Sequence, residues 1–306
     1  MIDFINLSNI CQENKPNAIL ILGDRFETLL APLVTITNNI PLIHFYGGAV
    51  TKGAYDEIVR HGISKMSNYH FVALDIYKKR LIQMGEDKKN IKVIGLPLLN
   101  DLKEFKSLSV EELSKKLNFN FKKEYLLFSF HSETLRENKL INDLKILKKF
   151  LTKTKLNIVI TYPNADRGSN EIIDFYKLNF KKKNNIKIIK NCGKELYFNL
   201  LNNCKFLIGN SSSGIVEAAS FKKPVINIGK RQLGKLYQKN IVSTDYNLND
   251  LMKAYNKINS KKFIMSLKSL KNAYESKIST KKIVYLILSM LKNKNSNTKF
   301  FVDLKN

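Results

Sequence analysis

FLIGNSSSGIVEAASF, Phe206 to Phe221, is the stretch that decides the fold. It opens with a short apolar run that stops at Gly209 and Asn210, as a strand buried on both faces does. Three serines and Gly214 follow, and apolar residues then recur at helical spacing over Gly214 to Ser220. A strand that passes through a small polar loop into a helix is one step of a parallel sheet, because parallel neighbours need a crossover connection.

The same step repeats on both sides of this stretch. Upstream, the spacing predicts strands at Ala18 to Leu22, Pro41 to Phe45, Tyr69 to Ala73 and Ile91 to Ile94, with helices after Asp24, over Asp56 to Lys65 and over Ile76 to Met84. Further strands follow at Tyr125 to Phe130, Leu156 to Thr161, Ile186 to Ile189, Phe206 to Ile208 and Val225 to Ile228. The helices between them are predicted near Leu140 to Leu151, Ser169 to Leu178 and Lys194 to Asn202. The fold class is therefore α/β with two Rossmann-like domains. A chain of 306 residues also exceeds one ordinary core. Gly95 and Pro97 interrupt the pattern before a polar, lysine-rich helix, which sets the expected domains at 1–100 and 101–306, the second including a C-terminal helix.

Composition narrows the function classes. Hydrophobic residues make up 44% and charged residues 25%, as in folded globular chains, and no apolar run is long enough to cross a bilayer. The opening residues lack the basic, apolar and small-residue order of a secretory signal, so a cytoplasmic protein without a membrane partner is expected. Cys11, Cys192 and Cys204 are widely spaced and read as structural thiols, with no metal or redox cofactor indicated. The net charge of +26 comes mostly from lysines scattered among Asn and Ile, without interleaved aromatic platforms. That argues for biased composition and against a nucleic-acid partner. The lysine-rich stretches at 180–185 and 291–299 read as a solvated loop and a fraying end.

In open parallel sheets ligands sit beyond the carboxyl ends of the strands, so the residues after each apolar run are the informative ones. At Ser212, Ser213 and Gly214 backbone N–H groups and the helix dipole favour an anion such as a phosphate. Glu217, one turn further on, could accept bonds from two ribose hydroxyls; local chemistry leaves this level with a plain helix start bearing a first-turn acid. Asp24, in LGDRFE, ends a buried strand and is either a base or a helix cap. Asp56 starts a helix, and Arg60 lies one turn on, so the two could pair or face substrate; His61 is beside them. His44 and His70 lie within strands and read as packed. His131 leaves the first strand of the second domain, in His131-Ser132-Glu133-Thr134, where it is either a structural histidine, as a lone one at a strand end more often is, or a cation that would help a phosphate leave. The loop Tyr162 to Asp166 carries turn chemistry only.

In this order LGDRFE, IPLIH with its Gly-Gly loop, IVRHGISKMSNYHFVA, TYPNAD and GNSSSGIVEAASF resemble the hydrolysing branch of the UDP-N-acetylglucosamine 2-epimerase family over nearly the whole chain. The resemblance implies two domains facing a deep cleft in the glycosyltransferase-B arrangement, the second being the UDP-binding one. It places the diphosphate at Ser212, Ser213 and Gly214, the ribose on Glu217 and the uracil beside Leu196 and Phe198. Asp24 and Asp56 take the acid and base places, His131 faces the departing UDP, and Arg60 and His61 line the sugar side. The implied reaction eliminates UDP from a UDP-sugar of the amino-sugar and sialic-acid routes, then adds water with inversion at C2. No cofactor is implied, and a homo-oligomer is.

Two departures from the family pattern carry expectations of their own. Relatives begin with a further strand, a basic glycine loop and another β-α unit, so the first domain is expected to be incomplete. Many relatives carry an acid at the place of Tyr46 or of Ala49, one of them thought to act in catalysis, and neither residue here replaces it. A catalytically inactive UDP-sugar-binding remnant and a sugar transferase of the same architecture are the alternatives.

Overall fold

The computed structural model describes residues 4–52, 56–103, 105–133, 139–292 and 299–304. In chain order the elements are α1 (Phe4–Asn14), β1 (Ile19–Leu22), α2 (Leu30–Thr37), β2 (Leu42–Phe45), α3 (Asp56–Met66), β3 (Tyr69–Val72), α4 (Asp75–Gln83), β4 (Ile91–Val93) and α5 (Val110–Leu117). They continue as β5 (Tyr125–Ser129), α6 (Leu140–Lys153), β6 (Asn157–Thr161), α7 (Ser169–Phe180), β7 (Ile186–Ile189), α8 (Gly193–Asn203), β8 (Phe206–Gly209) and α9 (Ser212–Val216). The chain then forms β9 (Val225–Ile228), β10 (Ile241–Thr244), α10 (Leu248–Asn259), α11 (Lys261–Leu267) and α12 (Thr280–Leu291). The chain divides into two compact units, one of Met1–Val50, Tyr55–Leu102 and Ala273–Asn306, the other of Thr51–Ala54 and Lys103–Asn272. No helix among the described residues is long and apolar enough to cross a membrane.

The first unit is a four-stranded sheet in the order β1-β2-β3-β4, every pair parallel. Parallel strands must be covered on both faces, which is why they read as unbroken apolar runs. One face packs Ile43, Tyr69, Phe71 and Ile94 against Ile283, Leu286, Ile287, Met290 and Leu291 of α12. The other packs Ile21, Leu42 and Ile63 with Leu29, Ala31 and Val59. At the β1 edge Leu20 and Leu22 are more than half exposed, and an open edge with apolar neighbours favours self-association.

The helix expected in the second domain thus packs on the first. Gly95, read from sequence as a break, is where the returning chain passes. Its φ is +71°, and a Cβ there would lie 2.5 Å from Ser276 Cα. Beside it Leu96 N–H donates to the Tyr274 carbonyl at 2.8 Å. A pattern of strands and helices cannot show such a return, because it is a long-range contact.

The end read as fraying is docked as well, although residues 293–298 of that stretch lie outside the described ones. Lys299 Nζ donates to Glu86 Oε2 at 2.6 Å and to the Ser67 carbonyl at the end of α3. Glu86 is buried and also holds His70 at 2.9 Å and Lys65 at 3.1 Å. Phe301 lies under the Lys65 ammonium at 4.5 Å, and Val302 N–H donates to the Gly85 carbonyl. Removing a charged partner from a buried carboxylate costs about 1–3 kcal/mol. Lys299→Met is therefore expected to lower the unfolding free energy from urea denaturation by about that amount, while Lys281→Met, at an exposed position, leaves it unchanged.

The second unit is a six-stranded parallel sheet in the order β10-β9-β8-β5-β6-β7. The chain runs outward from β5 in one direction, then returns to β8 and runs outward in the other. The order therefore reverses between β5 and β8, and the crevice of such a sheet opens at that point. Gly209 makes the approach there: a Cβ would meet the Ser129 carbonyl oxygen at 1.9 Å, and its φ is +142°. The strand β10 escapes sequence reading because it is a half-polar edge with no fully buried residue.

Candidate functional site

At the switch point the loops after β5 and β8 are joined through one buried side chain. Asn210 accepts the His131 backbone N–H at 2.7 Å and donates to the His131 carbonyl at 2.9 Å. The Asn210 carbonyl in turn accepts from Gln232 at 2.8 Å and from Arg231 at 3.4 Å. Arg231 also lies 3.6 Å from Asp166. Glu133, buried beside them, accepts from Lys230 N–H at 3.0 Å and from the Tyr246 hydroxyl at 2.9 Å. The loops after β5, β6, β8 and β9 are thereby fixed to one another. Thr134 lies outside the described residues.

His131 is not the expected cation. Its Nδ1 accepts the Asn164 N–H at 3.1 Å, which leaves the proton of a neutral ring on Nε2. Burial, aided by the Arg231 charge, pushes its pKa down to about 3. The cation on this edge is Arg231. It follows an apolar run, β9, so the strand-end rule could have found it; the Asp166 contact gives the Tyr162 to Asp166 loop a role beyond its turn chemistry.

Ser211 caps the one-turn helix α9 through its side chain, and Ser213 shares a short hydrogen bond with the Tyr197 hydroxyl. Ser212 is exposed. A Cβ on Gly214 would press on Leu207 at 2.9 Å and Val225 at 3.0 Å, so its smallness serves helix packing on the sheet. The helix expected from Gly214 to Ser220 ends at Val216, leaving Glu217 as its C-cap and not a first-turn acid. Glu217 Oε2 is sealed from solvent and has no hydrogen-bond partner among the described residues, and burial pushes the carboxyl pKa up. Such an oxygen loses its hydration without replacement. On α8 the Phe198 ring packs with Phe105 and Phe221, and Leu196 lies against the core.

In the first unit Asp24 does not cap a helix. It accepts from Arg60 Nε at 2.8 Å and pairs with a second guanidinium nitrogen, while Arg60 also reaches Glu57 at 3.1 Å and the Ala49 carbonyl at 2.9 Å. Arg60 thus pairs with Asp24 and Glu57, where its spacing had pointed to Asp56. Glu57 extends the network to His61 at 3.1 Å. The i,i+3 and i,i+4 spacing of Glu57 to Arg60 and His61 carried that signal in the sequence. Asp56 is half-buried at the first turn of α3. His44 and His70 are buried, as their strand positions implied. His44 bonds the Gly23 carbonyl at 2.7 Å and Ser64 at 3.0 Å.

A sequence model described as UDP-N-acetylglucosamine 2-epimerase matches residues 4–288. The chain belongs to that family. It is 40% identical over 308 residues to the GDP/UDP-N,N'-diacetylbacillosamine 2-epimerase (hydrolyzing) of Campylobacter jejuni, a match spanning 98% of this chain and 78% of that protein. The UDP-N,N'-diacetylbacillosamine 2-epimerase (hydrolyzing) of Legionella pneumophila is 32% identical over 243 residues, which is 79% of this chain and 64% of that one. Among solved structures, the UDP-GlcNAc 2-epimerase of Neisseria meningitidis bound to UDP-GlcNAc superposes with a TM-score of 0.79 at 17% identity, over 94% of this chain and 80% of that one. The last likeness establishes the α/β fold of two parallel-sheet units for this family member.

His44 and His131, two of the buried histidines, give this epimerase-family chain an acid response. Burial pushes His44 down from 6.5 to about 4 and His131 from 6.5 to about 3. Between those values and 6.5 the unfolded chain binds protons that the folded chain does not. Stability is full above about pH 6.5 and is lost as pH falls, by up to about 1.4 kcal/mol per pH unit for each ring. Urea midpoints are expected to drop between pH 7 and pH 5, and His44→Gln should make that drop shallower.

Proposed function

We propose that this chain is a hydrolysing 2-epimerase that releases UDP and the free 2-epimer from a UDP-linked acetamido sugar, with diacetamido sugars of the bacillosamine type as its first substrates. The observation that carries the nucleotide half is the sealed, unpartnered oxygen of Glu217. It lies just past the Ser211 to Gly214 loop, and two adjacent ribose hydroxyls would satisfy it. The sugar preference rests on the names of the two bacillosamine relatives.

The second unit holds the nucleotide end. Ser212, Ser213 and Gly214 present backbone to the diphosphate, Glu217 accepts from the ribose, and α8 with Leu196 and Phe198 backs the base. Arg231 supplies positive charge beside the leaving oxygen, which gains negative charge as UDP departs. His131, held neutral, contributes only a hydrogen bond from Nε2. The first unit supplies the acid–base work through Asp24 and Asp56, with Arg60 and His61 orienting the sugar. A carboxylate takes the C2 proton, and the C2–H electron pair becomes the C1–C2 double bond as the C1–O bond breaks toward UDP. Water then adds its hydroxyl to C1, and C2 regains a proton on the opposite face.

A second reading, a UDP-sugar binder without turnover, is favoured by the ion pair that occupies Asp24 and by the inert side chain of Ala49. Incubation of the purified protein with the UDP-diacetamido sugar and with UDP-N-acetylglucosamine, followed by NMR, separates the two. Release of UDP with a 2-epimeric free sugar, abolished by Asp24→Asn, is the expected result; binding without release supports the second reading. UDP release that requires a sugar acceptor marks a transferase instead. For Glu217→Ala the affinity for UDP is expected to fall about 10- to 100-fold, the range for a charged hydrogen bond of roughly 1.5–3 kcal/mol.

A further inference from the structure

Among the described residues six that are not glycine have a positive φ: Lys15, Asn39, Tyr46, Asn118, Lys155 and Lys222. Five of them close helices or helical turns, at the ends of α1, α2, α5, α6 and the turn after α9. There the left-handed conformation is ordinary, since it satisfies the last carbonyls of a helix. Tyr46, at φ +70°, is the exception, because it follows a strand. For a bulky aromatic residue that backbone is strained, and strain of this kind persists where the surroundings impose it and function retains it. The next two residues are glycines, so this loop has residues suited to such a backbone, yet a tyrosine stands first.

The surroundings that impose it are the candidate site itself. Tyr46 N–H donates to the Phe71 carbonyl at 2.8 Å, which extends the β2–β3 pairing by one residue, and Gly23 N–H, beside Asp24, donates to the Phe45 carbonyl at 3.1 Å. Three residues on, the Ala49 carbonyl is held by Arg60, the partner of Asp24. The loop of Tyr46 is therefore tied at both ends to the Asp24–Arg60 pair. The ring is half-buried with its edge on Phe45, 6.1 Å between centroids, and its hydroxyl has no hydrogen-bond partner among the described residues. Burial raises the phenol pKa, so it stays protonated at neutral pH.

We infer that Tyr46 is a substrate-contacting residue, held in a strained backbone so that its neutral hydroxyl donates a hydrogen bond to an oxygen of the bound sugar. This rests on the proposed function and assigns a donor to a loop that has no acidic side chain at Tyr46 or Ala49. A tyrosine kept for packing would lose stability when removed. A tyrosine kept for substrate would lose turnover and leave stability alone, because relief of strain offsets the lost ring contact.

The test uses the full chain with Tyr46→Phe, Tyr46→Asn and Tyr46→Gly, measuring thermal midpoint, UDP affinity and kcat/KM for the UDP-sugar. Tyr46→Phe is expected to keep the midpoint and UDP affinity and to lose about tenfold in kcat/KM, the share of one neutral hydrogen bond. Tyr46→Asn and Tyr46→Gly should melt at or above the wild type and lose more activity. Wild-type kcat/KM in Tyr46→Phe overturns the inference, as does a midpoint that falls by more than about 5 °C in both the Asn and Gly variants, which would mark a packing role. If the wild type releases no UDP, the epimerase reading fails separately. The readout then becomes the extra affinity for UDP-sugar over UDP, which Tyr46→Phe should reduce about tenfold; no such extra affinity in the wild type, or its retention in the variant, overturns the inference.

Discussion

The paired hydrogen bonds between Asn210 and the backbone of His131 hold the switch point of the larger sheet. Parallel strands that diverge from a centre leave two loops side by side with unpaired backbone groups, and a buried amide that accepts from one and donates to the other is a compact way to satisfy both. Gly209 has to be a glycine for β8 to come close enough, and the Asn210 carbonyl then gathers Gln232 and Arg231. With that seam closed, the α9 loop, His131 and Arg231 occupy fixed places around one edge. Leaving either amide atom of Asn210 unpaired there would cost roughly 1–3 kcal/mol, so the seam favours a single arrangement of the nucleotide loop.

Charge is handled differently in each of the two units. In the first, Arg60 is shared among Asp24, Glu57 and a backbone carbonyl, so two carboxylates are held close without leaving an uncompensated buried charge. In the second, Glu217 has an oxygen that nothing among the described residues satisfies, and His131 is kept neutral by burial. A protein built only for stability would not leave a buried acid oxygen unpartnered at the end of a short helix, and the same holds for a tyrosine in a glycine's backbone. Tyr46 falls just beyond the end of β2, and Glu217 follows the loop and short helix that leave β8, on the side of the strand ends where α/β sheets place their ligands.

Much of this is legible in the amino-acid sequence. The apolar runs of the parallel strands, covered on both faces, gave their positions to within a residue or two, and the rule that ligands lie past strand ends picked out Asp24, His131 and the Ser211 to Glu217 stretch. Arg231 and Glu57 were equally within reach of sequence rules, through the strand-end position of one and the helical spacing of the other. The partner of Arg60 was not, because Asp24 lies 36 residues away and only the pairing of β1 with its neighbours brings them together. Nor could the short β10 be found, having too little burial to stand out.

The sequence by itself determined the α/β class, the parallel strands and the family resemblance, because burial on both faces of a sheet writes a local pattern of residue types. Tertiary structure alone decided the return of α12 to the first unit, the docking of Lys299 on Glu86, the charge state of His131 and the backbone of Tyr46. Each of these is set by groups distant in sequence that exclude water or close a hydrogen bond, and no local pattern records which distant group will arrive.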